Sequence, residues 1–140
     1  MKQFFTLFFF GLISSSFSIE SNASFTIHAN GFDSNEGKAH IAIYRSTDKF
    51  PSPKSQYKGQ IVLINNKIAT ATFHDLPKAN YAVAVFHDKN KNGSMDKNMF
   101  GVPTEKYGFS NNARETFSAP SFESASVKVD RQKTIWIYVK

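Results

Sequence analysis

Between His87 and Ala113 the chain reads HDKNKNGSMDKNMFGVPTEKYGFSNNA. Asp88, Asn90, Asn92 and Asp96 stand at even spacings around Gly93, the opening of a D-x-[DN]-x-[DN]-G calcium loop. A hard cation such as Ca2+ binds oxygen ligands at roughly 2.3–2.6 Å, and alternate side chains of such a loop supply them. Gly93 allows the sharp turn that aims them at one centre. Ser94 would add its backbone carbonyl, and Asp96 would bind directly or through water. The loop's twelfth position, where a bidentate Glu is expected, is Met99. Glu105 is the nearest replacement in sequence. The predicted metal set is therefore Asp88, Asn90, Asn92, Ser94, Asp96 and Glu105, and the predicted ion is Ca2+ rather than the more strictly octahedral Mg2+. Two carboxylates in the loop place the affinity in the weak extracellular range, on the order of 0.1–1 mM. The same residues also make an ordinary turn in which Asn and Asp bond their own backbone, so a metal cage and a self-bonded turn both stand.

Catalytic chemistry has little support. His28, His40, His74 and His87 lie in or beside predicted strands without zinc spacing. There is no G-x-S-x-G, no H-E-x-x-H and no cysteine. Asp88 and Asp96 with His87 would be the parts of a hydrolase, but in an Asn-rich loop they look more like a cation cage. No catalytic residue is assigned and no enzyme is expected. Past the loop, Gly101, Pro103 and Gly108 fix the path of an ordered excursion. Its Tyr107 and Phe109 either plug the loop onto the body of the protein or, with Asn111 and Asn112, face a partner.

The elements that must carry this loop read as strands. Period-two alternation marks Ser24–Ala29, Lys38–Tyr44, Lys67–Phe73, Ala125–Val129 and Thr134–Val139, with a short strand at Ile61–Ile64. Residues 45–58 read as a long loop with room for one helical turn. Asn65-Asn66 reads as a tight turn, and 75–80 as a turn before Tyr81–His87. That strand is apolar on both faces and so is expected to be central. About seven strands with turns between them predict an all-β, antiparallel, Ig-like or prealbumin-like sandwich with a long excursion at 88–122.

Of the 140 residues, the N-terminal segment reads as a signal peptide. Lys2 precedes the apolar run Phe4–Ile13, and small residues at Ser21 and Ala23 predict cleavage after Ala23, with Ser18 the second choice. A retained anchor is the alternative, although the run is short for a membrane span. Residues 24–140 then form one domain, periplasmic or secreted, with no remaining span. Without cysteine it has neither disulfides nor a Cys-linked lipid. The net charge of +6 is carried by scattered Lys residues with no aromatic-basic motif, which argues against nucleic acid and for a soluble monomer.

The residues Leu76-Pro77, Tyr81-Ala82, His87-Asp88, Asn90, Asn92-Gly93 and Asp96, followed by Gly101-Val102-Pro103, Glu105 and Tyr107–Asn112, resemble a family of small exported bacterial proteins known only as a domain of unknown function. Its hallmark is HDxNxNGxxD running into G[IV]PxExYGFSNN. The usual Gly before the Tyr is replaced by Ala79-Asn80, and Asn still reaches the left-handed conformation. The resemblance implies export and a sandwich and implies no reaction. The Leu-Pro turn also resembles transthyretin-like and carboxypeptidase-regulatory-like sandwiches, which bears on the fold alone. Together these observations predict an exported, non-enzymatic sandwich whose calcium loop orders a surface for an unknown protein or glycan. A metal-independent interaction module using residues 100–112 is the competing expectation.

Overall fold

A computed structural model describes residues 22–140. The predicted signal peptide, residues 1–23, lies outside them apart from its last two residues. Eight strands follow in order: β1 Ala23–Asn30, β2 Lys38–Tyr44, β3 Lys58–Val62, β4 Ile68–Leu76, β5 Ala79–Asp88, β6 Tyr107–Phe109, β7 Val127–Val129 and β8 Gln132–Tyr138. A four-residue helix, α1 (Phe122–Ala125), and short 3-10 turns at Pro53–Ser55 and Ser110–Asn112 complete the chain.

The strands form two sheets, one ordered β4-β1-β8 and the other β3-β2-β5-β6, with β7 paired to the start of β5. This is the all-β sandwich the alternation predicts. In β1 the alternation is complete: Ala23, Phe25, Ile27 and Ala29 point inward, while Ser24, Thr26, His28 and Asn30 point out. Phe25, Ile27 and Phe73 of the first sheet meet Ile41, Ile43, Tyr81, Val83 and Val85 of the second. Burying each large aliphatic or aromatic side chain contributes about 1.5–3 kcal/mol, and this core stands in for the missing disulfides. β5 is central as expected, with β2 on one side and β6 and β7 on the other.

Four local differences from the sequence reading have physical causes. One pair, β1 with β8, runs parallel, because the chain's last strand returns from the opposite sheet rather than through a hairpin. Asp75 is not in a turn. It takes a left-handed φ of 54° inside β4, where the register to β1 shifts between Ala23↔Leu76 and Phe25↔Phe73, and an Asp tolerates that conformation. The tight turn sits one residue later than expected, with Asn66 and Lys67 both at positive φ and Asn65 bridged to Ile68. Asn65 and Ile68 exchange both backbone hydrogen bonds, as in a two-residue hairpin turn, and the strands beyond them then part into different sheets. Finally, the 88–122 excursion is interrupted: Tyr107–Phe109 returns to pair with β5 as β6.

Candidate functional site

The loop leaves the end of β5 with Asp88, whose carboxylate is 2 % exposed. Oδ1 accepts the Asn92 N–H at 3.0 Å. Oδ2 accepts the Gly93 N–H at 2.9 Å and faces His40 Nε2 at 3.0 Å. Burial pushes the Asp88 carboxyl up, but the Gly93, His40 and Asn92 donors outweigh it and hold the group below its ordinary value. Gly93 takes φ +83° as the tight turn requires. Gly37 (φ +74°) lies against the strand end so closely that a Cβ there would come within 2.2 Å of the Asp88 carbonyl oxygen.

Asp96 is the second hub. Its Oδ2 accepts from Asn90 Nδ2 and its Oδ1 from Asn92 Nδ2, both at 2.6 Å. The two amide oxygens turn to the backbone. Asn90 Oδ1 accepts the Asn92 N–H at 3.2 Å, and Asn92 Oδ1 accepts the Ser94 N–H at 2.9 Å. Glu105 closes the loop, its Oε1 taking the Lys89 N–H at 2.9 Å and its Oε2 the Asp96 N–H at 3.0 Å. The structure thus brings Asp88, Asn90, Asn92, Asp96 and Glu105 into one network that also includes the Ser94 N–H. Among the described residues, no group of three or more His, Asp or Glu side chains is clustered for a metal. Oxygens for an ion would have to come from the Asn amides and backbone as well as the carboxylates.

An open depression of about 630 Å³ lies beside this network, lined by Glu36, Lys89, Asn90, Lys91, Asp96 and Glu105. Lys89 Nζ sits 3.7 Å from Glu36, an exposed pair of small energetic worth. Beyond Asp96 the chain makes a second turn. Asn98 Oδ1 accepts the N–H groups of Phe100 and Val102 at 2.9 and 3.1 Å. Asn98 N–H donates to the Val102 carbonyl at 2.9 Å, and Lys97 bridges Pro103. This small tip holds Met99 at 90 % and Phe100 at 82 % exposure.

Of the residues expected to face a partner, Asn111 and Asn112 are exposed, Tyr107 is half-buried and Phe109 is buried. Phe109 is only 8 % exposed and meets Phe50 edge-on at 5.6 Å. Tyr107 is half-buried, with Arg114 over its ring at 5.2 Å. Asn111 Nδ2 donates to the Ser124 and Ser126 carbonyls, and Asn112 Oδ1 accepts the Tyr138 N–H. Packing holds the two aromatics and bonds to distant strands hold the two Asn side chains, while the 99–102 tip carries Met99, Phe100 and Val102 exposed. Its signal in the sequence was Met-Phe before a Gly, in a stretch without strand period. His87 Nε2 is paired with the Glu36 backbone oxygen at 2.7 Å, not with a carboxylate, so the parts of a hydrolytic dyad are not assembled around it.

His40 is the partner of Asp88 that the sequence does not reveal. The sequence places it in a strand and gives it no ligand spacing. The register of β2 on β5 sets His40 opposite Phe86, one diagonal step from Asp88, and its ring stacks on Phe86 at 4.4 Å. Lys106 likewise ties the loop's exit to the body, reaching Asp33 Oδ1 at 2.7 Å and the Gly31 carbonyl at 2.9 Å. Among the described residues no helix is long and apolar enough to cross a membrane.

No curated protein sequence and no solved structure matches the chain. Residues 27–136, which take in both sheets and the whole loop network, match one family. The chain belongs to that bacterial family, described as "Uncharacterized protein conserved in bacteria (DUF2141)".

Proposed function

We propose that this chain is an exported, non-catalytic β-sandwich that takes up Ca2+ in the 88–96 loop and presents the 97–103 tip to a protein or glycan partner. The observation that carries this reading is the Asp96 carboxylate, gripped at 2.6 Å by the side-chain amides of both Asn90 and Asn92. Turning either amide end over exchanges its nitrogen for its oxygen. The side chains that donate to Asp96 then face the same point with oxygens, and a cation between them replaces the lost hydrogen bonds. Asp88 accepts three bonds where a carboxylate has about four acceptor sites, leaving one on Oδ1. Glu105, which accepts the Asp96 N–H directly, supplies the charge that Met99 lacks. An ion here fixes Asp96, and Asp96 fixes the tip through its carbonyl, which accepts the Thr104 N–H at 2.9 Å.

Thermal unfolding in excess EDTA, followed by a calcium titration, tests the reading. With a dissociation constant on the order of 0.1–1 mM, tenfold excess calcium stabilises the native state by about 1.4 kcal/mol and raises the midpoint by several degrees. Asp96→Ala is expected to remove that rise. An unmoved midpoint at every calcium concentration would leave the loop a self-bonded turn.

One observation favours a second reading. Both Asn oxygens and both Asp88 oxygens already accept N–H groups of the loop, so the loop closes without an ion. A metal-independent interaction module that uses the Met99–Val102 tip then remains, and indifference to EDTA together with partner loss in Phe100→Ser would support it.

A further inference from the structure

The outer face of the β4-β1-β8 sheet, remote in sequence from the loop, is a three-by-three array. The strand register aligns Thr72, Thr26 and Thr134 in one row, Thr70, His28 and Trp136 in the next, and Ile68, Asn30 and Tyr138 in the third. None of the nine is charged by type at neutral pH except through His28, on a chain that carries +6. Trp136 and Tyr138 are 53 % and 52 % exposed, unusual for large aromatics without a covering element. They are held in place. His28 stacks on Trp136 at 4.6 Å and 28°, and is itself fixed by Nδ1 against Thr70 Oγ1 at 2.8 Å. Thr26 and Thr72 bond through their hydroxyls at 3.0 Å. Tyr138 lies so close over Gly31 that a Cβ there would stand 2.9 Å from its ring.

We infer that this face is a binding platform for a neutral glycan chain. Two aromatic faces lie two residues apart on one strand, about 6.7 Å along it, so neighbouring sugar rings can each cover one with their C–H groups. The Thr hydroxyls, Asn30 and the aromatic N–H and O–H groups stand beside them as donors and acceptors. The lack of Lys and Arg on the array disfavours phosphate-bearing ligands. Three strands and three rows span roughly 14 by 20 Å. That is about 300 Å² and well short of the ~800 Å² per partner of a stable protein interface, which disfavours a second copy or another protein.

Trp136 is the chain's one tryptophan, so its fluorescence reads this face alone. The full chain is titrated with soluble dextran, xylan, mannan and laminarin, with alginate as the anionic comparison, and run through gels holding each polymer. The expected result is a changed Trp136 emission and retarded migration with at least one neutral polymer. Trp136→Ala should abolish the retardation and Tyr138→Ala should weaken it at least tenfold, with circular dichroism unchanged in both because the side chains are half exposed. Phe117→Ser, at a fully exposed residue outside this face, should bind as the parent does. The inference is overturned by no response to any neutral polymer, by Trp136→Ala migrating as the parent does, by a preference for alginate, or by a dimer in sedimentation that Trp136→Ala dissolves.

Discussion

Residues 88–106, built on Asn, Asp, Lys and two Gly with one aromatic, and residues 107–126, with five Ser and four aromatics, are held by opposite means. In the first stretch most side-chain bonds stay within the stretch, with Asp88–His40 and Lys106 to Gly31 and Asp33 the long-range ones. Asp88 reaches Asn92 and Gly93, Asn90 reaches Asp96, and Asn98 reaches Phe100 and Val102. In the second, the same residue types reach across the fold. Ser110 Oγ accepts the Val83 N–H at 2.8 Å and donates to the Ala125 carbonyl, while Asn112 takes the Tyr138 N–H. A loop that satisfies its own backbone can stand away from the core and leave apolar side chains outside. A segment that spends its polar groups on distant strands must lie down on the sheet where it bonds, so Phe109 goes in while Phe117, between those anchors, stays exposed.

The largest test of this contrast is Phe109→Ala. It empties a buried aromatic site and should lower stability by about 3–5 kcal/mol in denaturant unfolding; a loss under about 1 kcal/mol would mean the second segment is as detached as the first. Asp88→Asn comes next. It keeps the size of the group but leaves part of the donor set unanswered, at a cost of about 1–3 kcal/mol at neutral pH. Because its partners hold the Asp88 carboxyl below its ordinary value, the contribution is present above the unfolded value near about 3.9. It is lost as pH falls through the folded value. The parent protein should therefore show an acid slope in stability that Asp88→Asn flattens; parallel slopes would show that the hub is not Asp88. Smallest is Phe100→Ser, expected within about 0.5 kcal/mol of the parent. A larger loss would show that the tip leans on something.

The same contrast explains what was legible in the sequence. β2 and the central position of β5 follow from alternation and from an unbroken apolar run, both local signals. The loop network was visible for the same reason, since its bonds join residues two to sixteen apart within one stretch. His40 was not, because it meets Asp88 from 48 residues away and only the strand register brings them together. β6 is three residues with Gly108 at its centre. It has no period of its own and exists because β5 offers it a free edge. Asp75 resembled a turn residue because the left-handed conformation that makes turns also makes bulges.

The parallel pairing of β1 with β8 bears on how the chain folds. β1 is the middle strand of its sheet, and one of its two neighbours is the last strand in chain order. That sheet cannot be completed until residue 138 has left the ribosome, and until then β1 offers an unpaired edge. Contacts between such distant stretches of chain make folding slow, in the millisecond-to-second range typical of sandwiches. Such a delay keeps the polypeptide extended and threadable for longer than a chain built from successive hairpins. Deleting β8 should therefore not yield a slightly shorter sandwich, but a chain whose first strand lacks one of its neighbours.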